Sequence, residues 1–426
     1  MIKKYTTNQN TLAKITMRKS GESVDVTAQV SKIVEAVKID KDQALKYYSR
    51  KFDQYEGSNF AVTVEEIQEA FTLVDQTLIE IMQTAWQKIY QFHEKQKSHG
   101  YIMTQDGQVM GQRVLPLDRV GVYVPGGTAV YPSTVLMDVA PAKVAGVEKI
   151  ILITPPDKNG KVNPSILVAS QIAGVDQIYK VGGAHGIAAL AYGTPSIPKV
   201  DKIVGPGNIY VATAKRLVYG QIDIDMIAGP SDVLIIADDS ANVKWLAADL
   251  LAQAEHDMLA QAILLTDSSR IFEQIENELT NQLALLPREA IARQSLINNG
   301  KVVLVQNIEE ACQIANQIAP EHLELAVDQP FAYLGSIKHV GSIFLGHYTP
   351  EVLGDYLAGP NHTLPTEGTA RFYSVLSVDD FVKKSSYLYY SKNALATQID
   401  SIAHFAKAEG LFGHAQSALI RKEKNK

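Results

Sequence analysis

The fold class is decided by a short run rich in β-branched residues, R-V-G-V-Y-V at positions 119–124. A turn containing glycine and proline follows this run, and a stretch with helical spacing comes next. Similar runs recur along the chain: K-I-I-L-I-T at 149–154, Q-I-Y-K-V at 177–181 and V-D-K-I-V at 200–204. Because these strands alternate with helices, they predict a parallel sheet covered on both faces.

A second series of such runs occupies the next part of the chain: V-L-I-I-A at 233–237, A-I-L-L-T at 262–266, K-V-V-L-V at 301–305 and S-I-F-L-G at 342–346. Each again alternates with a helical pattern, so we predict two α/β units joined near A-G-P-S at 228–231. Before Gly100 the pattern is helical and highly charged, with no strand signal after Val24. From Ser377 onward it is helical only.

Three of the turns that follow strands are rich in glycine: P-G-G at 125–127, G-G-A-H-G at 182–186 and G-P-G-N at 205–208. Backbone N–H groups in such turns can bind a phosphate. None of the three matches G-x-G-x-x-G in phase, so tight chain reversal is the simpler interpretation of the pattern alone.

The composition excludes several classes of protein. A chain of 426 residues is long enough for about three domains. The net charge of −6 and pI near 6.0 give no basic surface for nucleic acid. The N-terminal residues lack the apolar region of a signal peptide, and no apolar run approaches the ~20 residues of a membrane span. Cys312 is the single cysteine, which excludes an internal disulfide. We therefore expect a soluble cytoplasmic protein that does not act at a membrane.

The segment at 354–372, G-D-Y-L-A-G-P-N-H-T-L-P-T-E-G-T-A-R-F, contains the first candidate functional residues. It puts a carboxylate, Asp355, and an imidazole, His362, on a loop apolar enough to be held against a core. Loops on a rigid scaffold often contain catalytic groups. The alternative is a buried connection in which both side chains satisfy only the backbone.

Two further segments place polar groups together. A predicted helix capped by Ser240 brings Gln253 and His256 onto one face near its end, a spacing that suits two ligands of one metal. Surface polar residues at a helix end are the alternative. Pro320 fits the first position of another helix, which would put Glu321 and His322 in its first turn. There the helix dipole would favour two general bases, or Glu321 would merely pair with the dipole.

A last segment, A-E-G-L-F-G-H at 408–414, contains Glu409 and His414. Together His256, Asp355 and His414 are ligand types that zinc prefers. Nothing in their spacing shows that they converge.

The chain closely resembles the histidinol dehydrogenase family over nearly all of its length. The tracts that carry this resemblance are R-V-G-V-Y-V-P-G-G (119–127), V-G-G-A-H-G-I-A-A-L-A-Y-G-T (181–194), V-D-K-I-V-G-P-G-N (200–208), A-G-P-S-D-V-L (228–234), L-L-A-Q-A-E-H (250–256), A-P-E-H-L-E-L (319–325), G-D-Y-L-A-G-P-N-H-T-L-P-T (354–366) and A-E-G-L-F-G-H (408–414). Each tract alone is a weak signal, but this many in one order are a strong one.

The resemblance implies the last, four-electron step of histidine biosynthesis, in which L-histidinol is oxidised through L-histidinaldehyde to L-histidine by two NAD. It also implies a zinc ion that holds the substrate. His322 would remove the hydroxyl proton and Glu321 would activate the water that attacks the aldehyde. The implied zinc ligands, which also contact the substrate, are Gln253, His256, Asp355 and His414.

The remaining implied contacts surround the substrate and the cofactor. Ser231, His362 and Glu409 would line the substrate pocket beside His322, while Tyr123 and Asn208 would contact NAD. The family usually has glutamine where this chain has His185, at a third NAD contact. An imidazole donates and accepts with a different reach from that of an amide.

The implied architecture is a homodimer with exchanged terminal regions and shared active sites. One domain would join 21–122 with 231–376, and an inserted domain, 123–230, would contact NAD. Both would resemble incomplete Rossmann folds, which accounts for the missing glycine fingerprint. A segment at 1–20 and a helical domain at 377–426, which docks on the partner subunit, would flank them.

Three other functions are compatible with parts of the pattern. A relative of the family could oxidise another small amino- or sulfo-alcohol, although the presence of Glu321, His322, Glu409 and the four metal positions favours histidinol. A zinc hydrolase would use Glu321 to activate water and would turn over without NAD. A non-catalytic NAD- or zinc-binding protein would not need the acid–base pair.

Overall fold

The structure, a computed structural model, describes residues 2–7, 12–17, 25–57, 59–126 and 130–422. Gly127 of the first glycine-rich turn and residues 423–426 at the C-terminus lie outside the described residues. The chain folds into two compact units. Unit 1 comprises Met1–Gln96 with Leu117–Phe381, and unit 2 comprises Lys97–Pro116 with Val382–Lys426.

The strands of the described residues are β1 (Lys3–Thr6), β2 (Tyr101–Gln105), β3 (Gln108–Pro116), β4 (Arg119–Tyr123), β5 (Lys149–Thr154), β6 (Gln177–Lys180), β7 (Lys202–Val204), β8 (Asp223–Ile224), β9 (Asp232–Ala237), β10 (Gln261–Thr266), β11 (Lys301–Leu304), β12 (His322–Ala326), β13 (Ser342–Leu345) and β14 (Val382–Tyr390).

The α-helices are α1 (Leu12–Thr16), α2 (Thr27–Asp40), α3 (Asp42–Tyr48), α4 (Val64–Leu73), α5 (Gln76–Glu94), α6 (Pro132–Ala145), α7 (Pro164–Ala173), α8 (Gly183–Tyr192), α9 (Ile209–Val218), α10 (Val243–Ala254), α11 (Ser269–Leu283), α12 (Glu289–Asn299), α13 (Ile308–Ile318), α14 (Pro330–Tyr333), α15 (Glu351–Tyr356), α16 (Lys392–Ala396), α17 (Ile399–Ala408) and α18 (Phe412–Leu419). A π-helical turn, Ser49–Asp53, continues α3, and 3-10 turns occur at Leu334–Ser336, Thr369–Arg371 and Val378–Phe381.

Unit 1 contains two parallel sheets, as predicted. Their strand orders are β6-β5-β4-β7-β8 and β1-β11-β10-β9-β12-β13, and every pairing in both is parallel. In the first sheet β4 is central: β5 and β6 are added on one side of it and β7 and β8 on the other. In the second sheet β9 has the same place, with β10 and β11 added on one side and β12 and β13 on the other. This doubly wound order is typical of nucleotide-binding α/β domains.

The packing explains why these strands read as continuous apolar runs. In β5, Ile150 and Leu152 pack into one core with α5, α6 and α7, while Ile151 and Ile153 pack into another with α2 and α8. Both faces of the sheet are therefore buried, so successive residues must all be apolar. The strands of this sheet all come from 119–224. The inserted domain at 123–230 and the other domain bounds stay a prediction.

Two expectations about strands are wrong. β1 lies in the predicted helical region and pairs with β11, adding an edge to the second sheet. The segment after Ser377 is not only helical, because β14 pairs antiparallel with β3 along nine residue pairs and β3 pairs with β2. The sequence of β14, V-K-K-S-S-Y-L-Y-Y, has a β-rich end whose partner lies far away in the chain, so pairing decides its conformation.

Between 25 and 100 the described residues form helices and turns and one isolated bridge, from Ala61 to Tyr179. None of the helices in the described parts of the chain combines the length and the apolar character that crossing a bilayer requires.

Candidate active site

Glu321 and His322 lie where α13 gives way to β12, so the prediction of a helical first turn is wrong. Ala319 ends α13 in the left-handed region, with φ of 52°, and His322 is already the first residue of β12. β12 pairs in parallel with β9 on one side and β13 on the other. These two neighbours satisfy the backbone of the segment, which outweighs the preference of Pro320 for a helix start. No helix dipole therefore sets the protonation of this pair.

Glu321 is held by the first residue of the neighbouring strand. Its Oε2 accepts a hydrogen bond from the N–H of Asp232 at 3.0 Å, and its own N–H donates to Asp232 Oδ1 at 2.9 Å. Ser231 also hydrogen-bonds the Glu321 carboxyl group. Burial, and then the negative charge of Asp232, raise the pKa of Glu321 well above its ordinary value. Once ionised, Glu321 is therefore a stronger base than a glutamate in water.

His322 offers one ring nitrogen as a proton acceptor. Its Nδ1 lies 3.1 Å from the carbonyl oxygen of Asp232, which can only accept, so Nδ1 carries the proton. Nε2 is then unprotonated, and within the described part of the chain it is buried without a hydrogen-bond partner. Burial lowers the pKa of His322 to about 3, despite the Asp232 carbonyl, and nearby His256 and His362 act in the same direction. The ring is therefore neutral near pH 7.

Glu351, which sequence reasoning missed, lies beside this pair. It is 3% exposed, and its Oε1 is 3.5 Å from His322 Nδ1. Its N–H donates to Glu324 Oε1 at 2.7 Å, and burial together with the neighbouring carboxylates raises its pKa well above the ordinary value. A glutamate after Pro350 at a helix start is unremarkable as a pattern, so no sequence signal identified it. Asp232 was within a tract that we quoted, but no role was assigned to it.

Asp355 and His362 meet His322 at one cavity. The cavity has a volume of about 110 Å³, and all three side chains line it together with apolar residues. Asp355 Oδ1 is 3.8 Å from His362 Nδ1. Burial raises the pKa of Asp355 to about 6 and lowers that of His362 to about 4. Asp355 lies in the last turn of α15 and not on a loop as expected, because the first glycine–proline break comes later, at Gly359.

Gln253 and His256 come from the end of α10. Gln253 is fully buried, and neither its Oε1 nor its Nε2 has a hydrogen-bond partner in the described residues. An amide in that position needs a ligand or water to satisfy it. His256 lies just beyond the helix end and is exposed, yet neighbouring atoms desolvate its ring enough to lower its pKa. The helix before His256, α10, contacts α15, the helix of Asp355, so His256 follows an element that borders the cavity.

The expected cap of α10 was wrong. Asn242 caps the helix, with Oδ1 accepting from the N–H of Lys244 at 2.9 Å. The hydroxyl of Ser240 instead donates to Asp238, so it is already used in the preceding turn. α10 contacts α15, which brings the helix of Gln253 next to the helix of Asp355.

No three His, Cys, Asp or Glu side chains of the described residues form a metal-binding cluster. The proposed ligand set differs from such a cluster in two ways, since one ligand is a glutamine and one, His414, belongs to unit 2. The unpartnered amide of Gln253 is the observation that fits a ligand at this point.

Two of the three predicted NAD contacts lie at the carboxyl edge of the first sheet, where doubly wound domains bind ligands. Tyr123 ends β4, and burial raises its pKa to about 12 while a backbone hydrogen bond from Gly183 opposes the rise. Asn208 begins α9, and its Oδ1 accepts from Tyr210 N–H at 3.0 Å and Val211 N–H at 3.2 Å. β4 and β7 are neighbours at the switch point of the strand order.

His185, the third of these residues, is buried in the first turn of α8. Its Nε2 lies 3.3 Å from Asp53 Oδ2, and its ring packs near Tyr48 and Phe52. Nδ1 has no hydrogen-bond partner in the described part of the chain, and it points toward Gly183, where an added Cβ would lie 3.3 Å from it. The glycine keeps the approach to this nitrogen open.

The other predicted substrate contacts are distributed over both units. Ser231, half-buried, immediately precedes β9 in unit 1. In unit 2, Glu409 directly follows α17 and His414 lies in the first turn of α18, both with exposed side chains. Unit 1 therefore brings together Ser231, Glu321, His322, Asp355 and His362 in one region, with His256 near it.

Comparison with known proteins gives one consistent result. The histidinol dehydrogenase family model matches residues 16–422. A histidinol dehydrogenase from Listeria monocytogenes is 54% identical over 405 residues, covering 95% of each chain. One from Bacillus cereus is 52% identical over 426 residues, covering 99% of each chain. The crystal structure of the enzyme from Elizabethkingia anophelis is 40% identical, covers 99% of this chain and 98% of its own, and superimposes with a TM-score of 0.94.

Proposed function

Because the chain belongs to the histidinol dehydrogenase family, we propose that it oxidises L-histidinol through L-histidinaldehyde to L-histidine with NAD, the last step of histidine biosynthesis. The observation that carries the proposal is the buried pair Glu321 and His322. These two bases lie beside a cavity that Asp355 and His362 also line, and Nε2 of His322 has no hydrogen-bond partner among the residues that the structure describes.

In the first oxidation, His322 removes the hydroxyl proton of the substrate. The Asp232 carbonyl holds the proton of the ring on Nδ1, so Nε2 has the lone pair that accepts the new proton. The low pKa set by burial keeps the ring neutral before the step. Accepting a proton then makes the ring a cation, which the nearby Glu351 carboxyl group stabilises when ionised. NAD, when bound, accepts a hydride in each of the two oxidations.

In the second oxidation, Glu321 removes a proton from the water that adds to the aldehyde. Its raised pKa brings it towards the range in which a general base is effective near neutral pH. The reciprocal hydrogen bonds with Asp232 fix the orientation of the carboxylate. Glu321 and His322 serve different protons, because Asp232 orients the carboxylate of Glu321 whereas Nε2 of His322 is the ring nitrogen without a partner in the described residues.

We propose that Gln253, His256 and Asp355 hold a zinc ion together with His414. The amide of Gln253 supports this assignment, since both of its polar atoms are buried without partners in the described residues. Zinc, when bound, would hold the substrate in its coordination shell. Asp355 is buried beside His362, and a zinc cation at this point would stabilise the ionised form of the Asp355 carboxyl group.

Tyr123, His185 and Asn208 are the residues that we assign to NAD. The support is their position at turns after strands of a doubly wound sheet, two of them at its switch point. Nδ1 of His185, which has no hydrogen-bond partner in the described residues, provides an acceptor when the ring proton is on Nε2, the nitrogen that lies 3.3 Å from Asp53 Oδ2 and 3.5 Å from Ser49 Oγ. His185 would then offer NAD an acceptor where the family's glutamine offers both a donor and an acceptor.

The proposed assembly is a homodimer in which unit 2 of one chain supplies Glu409 and His414 to the site of its partner. Unit 2 exposes large apolar side chains that suit such an interface, Phe405 at 69% and Phe412 at 67% among them. We expect the enzyme in the cytoplasm, since its single cysteine is buried and unpaired.

The decisive test is the amount of NADH that forms for each histidinol consumed by the purified, zinc-loaded enzyme. Two NADH for each histidinol, with histidine as the product, is the expected result. One NADH with accumulation of the aldehyde would contradict the four-electron reaction. Turnover that does not require NAD would instead identify a hydrolase.

A further inference from the structure

One face of α6 holds three consecutive residues of the loop after α15. Thr134, Met137 and Asp138 share this face because they are three and four positions apart. Thr134 Oγ1 lies 3.3 Å from Nε2 of His362, and the carbonyl of Met137 accepts from the side chain of Asn361 at 2.7 Å. Asp138 is the partner of the third loop residue.

The contact between Thr363 and Asp138 is the shortest of the three. The hydroxyl of Thr363 donates to Asp138 Oδ1 at 2.6 Å, and Asp138 is 0% exposed. Loss of this donor would leave a buried acceptor without its hydrogen bond, which is costly. The other oxygen of Asp138 has no hydrogen-bond partner among the described residues. Thr363 is therefore the side chain that fixes the orientation of Asp138.

Asn361 holds the loop on the other side of His362. Its Nδ2 reaches both the Met137 carbonyl and Nε2 of His93, the latter at 3.3 Å. Its Oδ1 accepts the N–H of Thr363 at 2.9 Å. The amide uses donors and acceptor alike, so the backbone of this segment has little freedom to turn.

We propose that Asp138 and Thr363 are positioning residues for substrate binding, because their hydrogen bond holds His362 at the wall of the cavity. Neither side chain lines that cavity. They act through the backbone of the loop, which is hydrogen-bonded to α6 on both sides of His362, at Asn361 and at Thr363. The inference rests on the proposed function, in which His362 contacts histidinol.

The test compares Thr363→Val, which keeps the shape and removes the donor, with Thr363→Ser, which keeps the donor. Ser170→Ala is a matched control, since its buried hydroxyl donates only within α7, to the Ile166 carbonyl at 2.7 Å. Steady-state rates are measured while histidinol and NAD are varied separately. Hydrogen exchange by mass spectrometry follows peptides that contain 357–366.

With Thr363→Val, the KM for histidinol should rise about ten- to a hundredfold, the effect of leaving a buried polar group without its hydrogen bond. The KM for NAD and kcat should change little, because His362 contributes equally to binding the ground state and the transition state. Thr363→Ser and Ser170→Ala should match the wild type. Hydrogen exchange in peptides that contain 357–366 should become faster in Thr363→Val and stay at the wild-type rate in the other two variants.

Two results would overturn the proposal. One is a Thr363→Val enzyme with an unchanged KM for histidinol. The other is a loss of kcat in parallel with thermal stability while both KM values stay the same, which would mean a purely structural role. If the wild-type enzyme forms no NADH from histidinol, the proposed function fails by itself. In that case the hydrogen exchange still tests the inference: if peptides containing 357–366 exchange at the wild-type rate in Thr363→Val, the hydrogen bond to Asp138 does not hold the loop.

Discussion

Asp232 and Glu321 exchange two hydrogen bonds across neighbouring strands, the backbone N–H of each donating to the carboxyl group of the other at 3.0 and 2.9 Å. Two acidic side chains are thus held at the start of adjacent strands by backbone donors. Backbone donors orient Glu321, and burial and the charge of Asp232 keep the proton affinity of its carboxylate high. The predictions below start from this pair.

Glu321→Gln should slow aldehyde oxidation while sparing the first hydride transfer, because glutamine cannot take a proton from water. Loss of a general base costs about 10²–10⁴-fold in rate. Single-turnover absorbance with histidinol, and then with histidinaldehyde, measures the two half-reactions separately. His322→Asn is the matched variant, and it should instead impair alcohol oxidation. Equal loss of both half-reactions in both variants would count against this division of roles.

Gln253→Leu should weaken zinc binding by about tenfold or more. Mutation of a residue that only supports a metal ligand already lowers metal affinity by that much. The protein should remain folded, because the amide of Gln253 makes no hydrogen bond within the described residues that leucine would break. Metal content after dialysis against graded chelator, with circular dichroism as the folding control, checks this. Chelation of the wild type should abolish activity and Zn²⁺ should restore it. Wild-type metal retention in the leucine variant would remove Gln253 from the ligand set.

Asp138→Asn should flatten the pH dependence of stability. Burial raises the pKa of Asp138 from 3.8 to about 7, so between these values the folded protein binds the proton more tightly than the unfolded chain. Its contribution to the free energy of unfolding is complete below about pH 4 and is lost as the pH rises towards 7. The upper limit of that loss is about 4 kcal/mol, at about 1.4 kcal/mol per pKa unit.

Urea unfolding of the Asp138→Asn variant and the wild type from about pH 5 to about pH 8 measures this difference. The variant should gain on the wild type as the pH rises. Asp400→Asn, at an exposed residue of unit 2, serves as the control and should follow the wild type. Parallel curves for all three proteins would mean that Asp138 does not titrate in this range.

His185→Gln should leave NAD affinity unchanged or improve it, because the family's glutamine supplies both a donor and an acceptor at this position. The ring contacts with Tyr48 and Phe52 would be lost, so thermal stability should fall slightly. Isothermal titration with NAD gives the affinity. A large loss of NAD binding with an intact fold would show that the cofactor site is built differently around Asp53.

Two inactive variants, His322→Asn and His414→Asn, should complement each other when their chains are mixed by unfolding and refolding. With random pairing about half of the dimers are mixed, and each has one intact site, so about a quarter of wild-type activity should return. Wild-type enzyme taken through the same treatment is the control. Refolded mixtures that stay inactive while the control recovers would rule out a site shared between subunits.

Most strands of both parallel sheets could be predicted because burial on two faces leaves continuous apolar runs, as in β5 and β9. β12 was missed, because its sequence, H-L-E-L-A, is interrupted by Glu324 and Pro320 before it suggested a helix start. Only pairing with β9 and β13 decides against that helix. β14 was missed for the same reason, since its partner β3 is distant in the sequence. Local propensity does not register such pairing.

The candidate site could be predicted only where a tract had a recognisable order of residues. Glu351 belongs to none of these tracts, although it lies 3.5 Å from His322. The contacts between α6 and the loop could not be predicted from the sequence either. Thr134 and Thr363 are ordinary polar residues in the sequence, and only the fold brings them to His362 and Asp138. Family resemblance supplied the roles, which the spacing of the residues alone did not.

The parallel pairing of β12 also limits how this enzyme can change over evolutionary time. Side chains alternate between the faces of a strand, so a one-residue slip of β12 against β9 and β13 would turn the side chain of His322 to the other face of the sheet. The same slip would move the backbone of β12 out of step with Asp232. Substitutions can therefore accumulate in the connection between α13 and β12, but a change in its length is tolerated only if the register of β12 is kept.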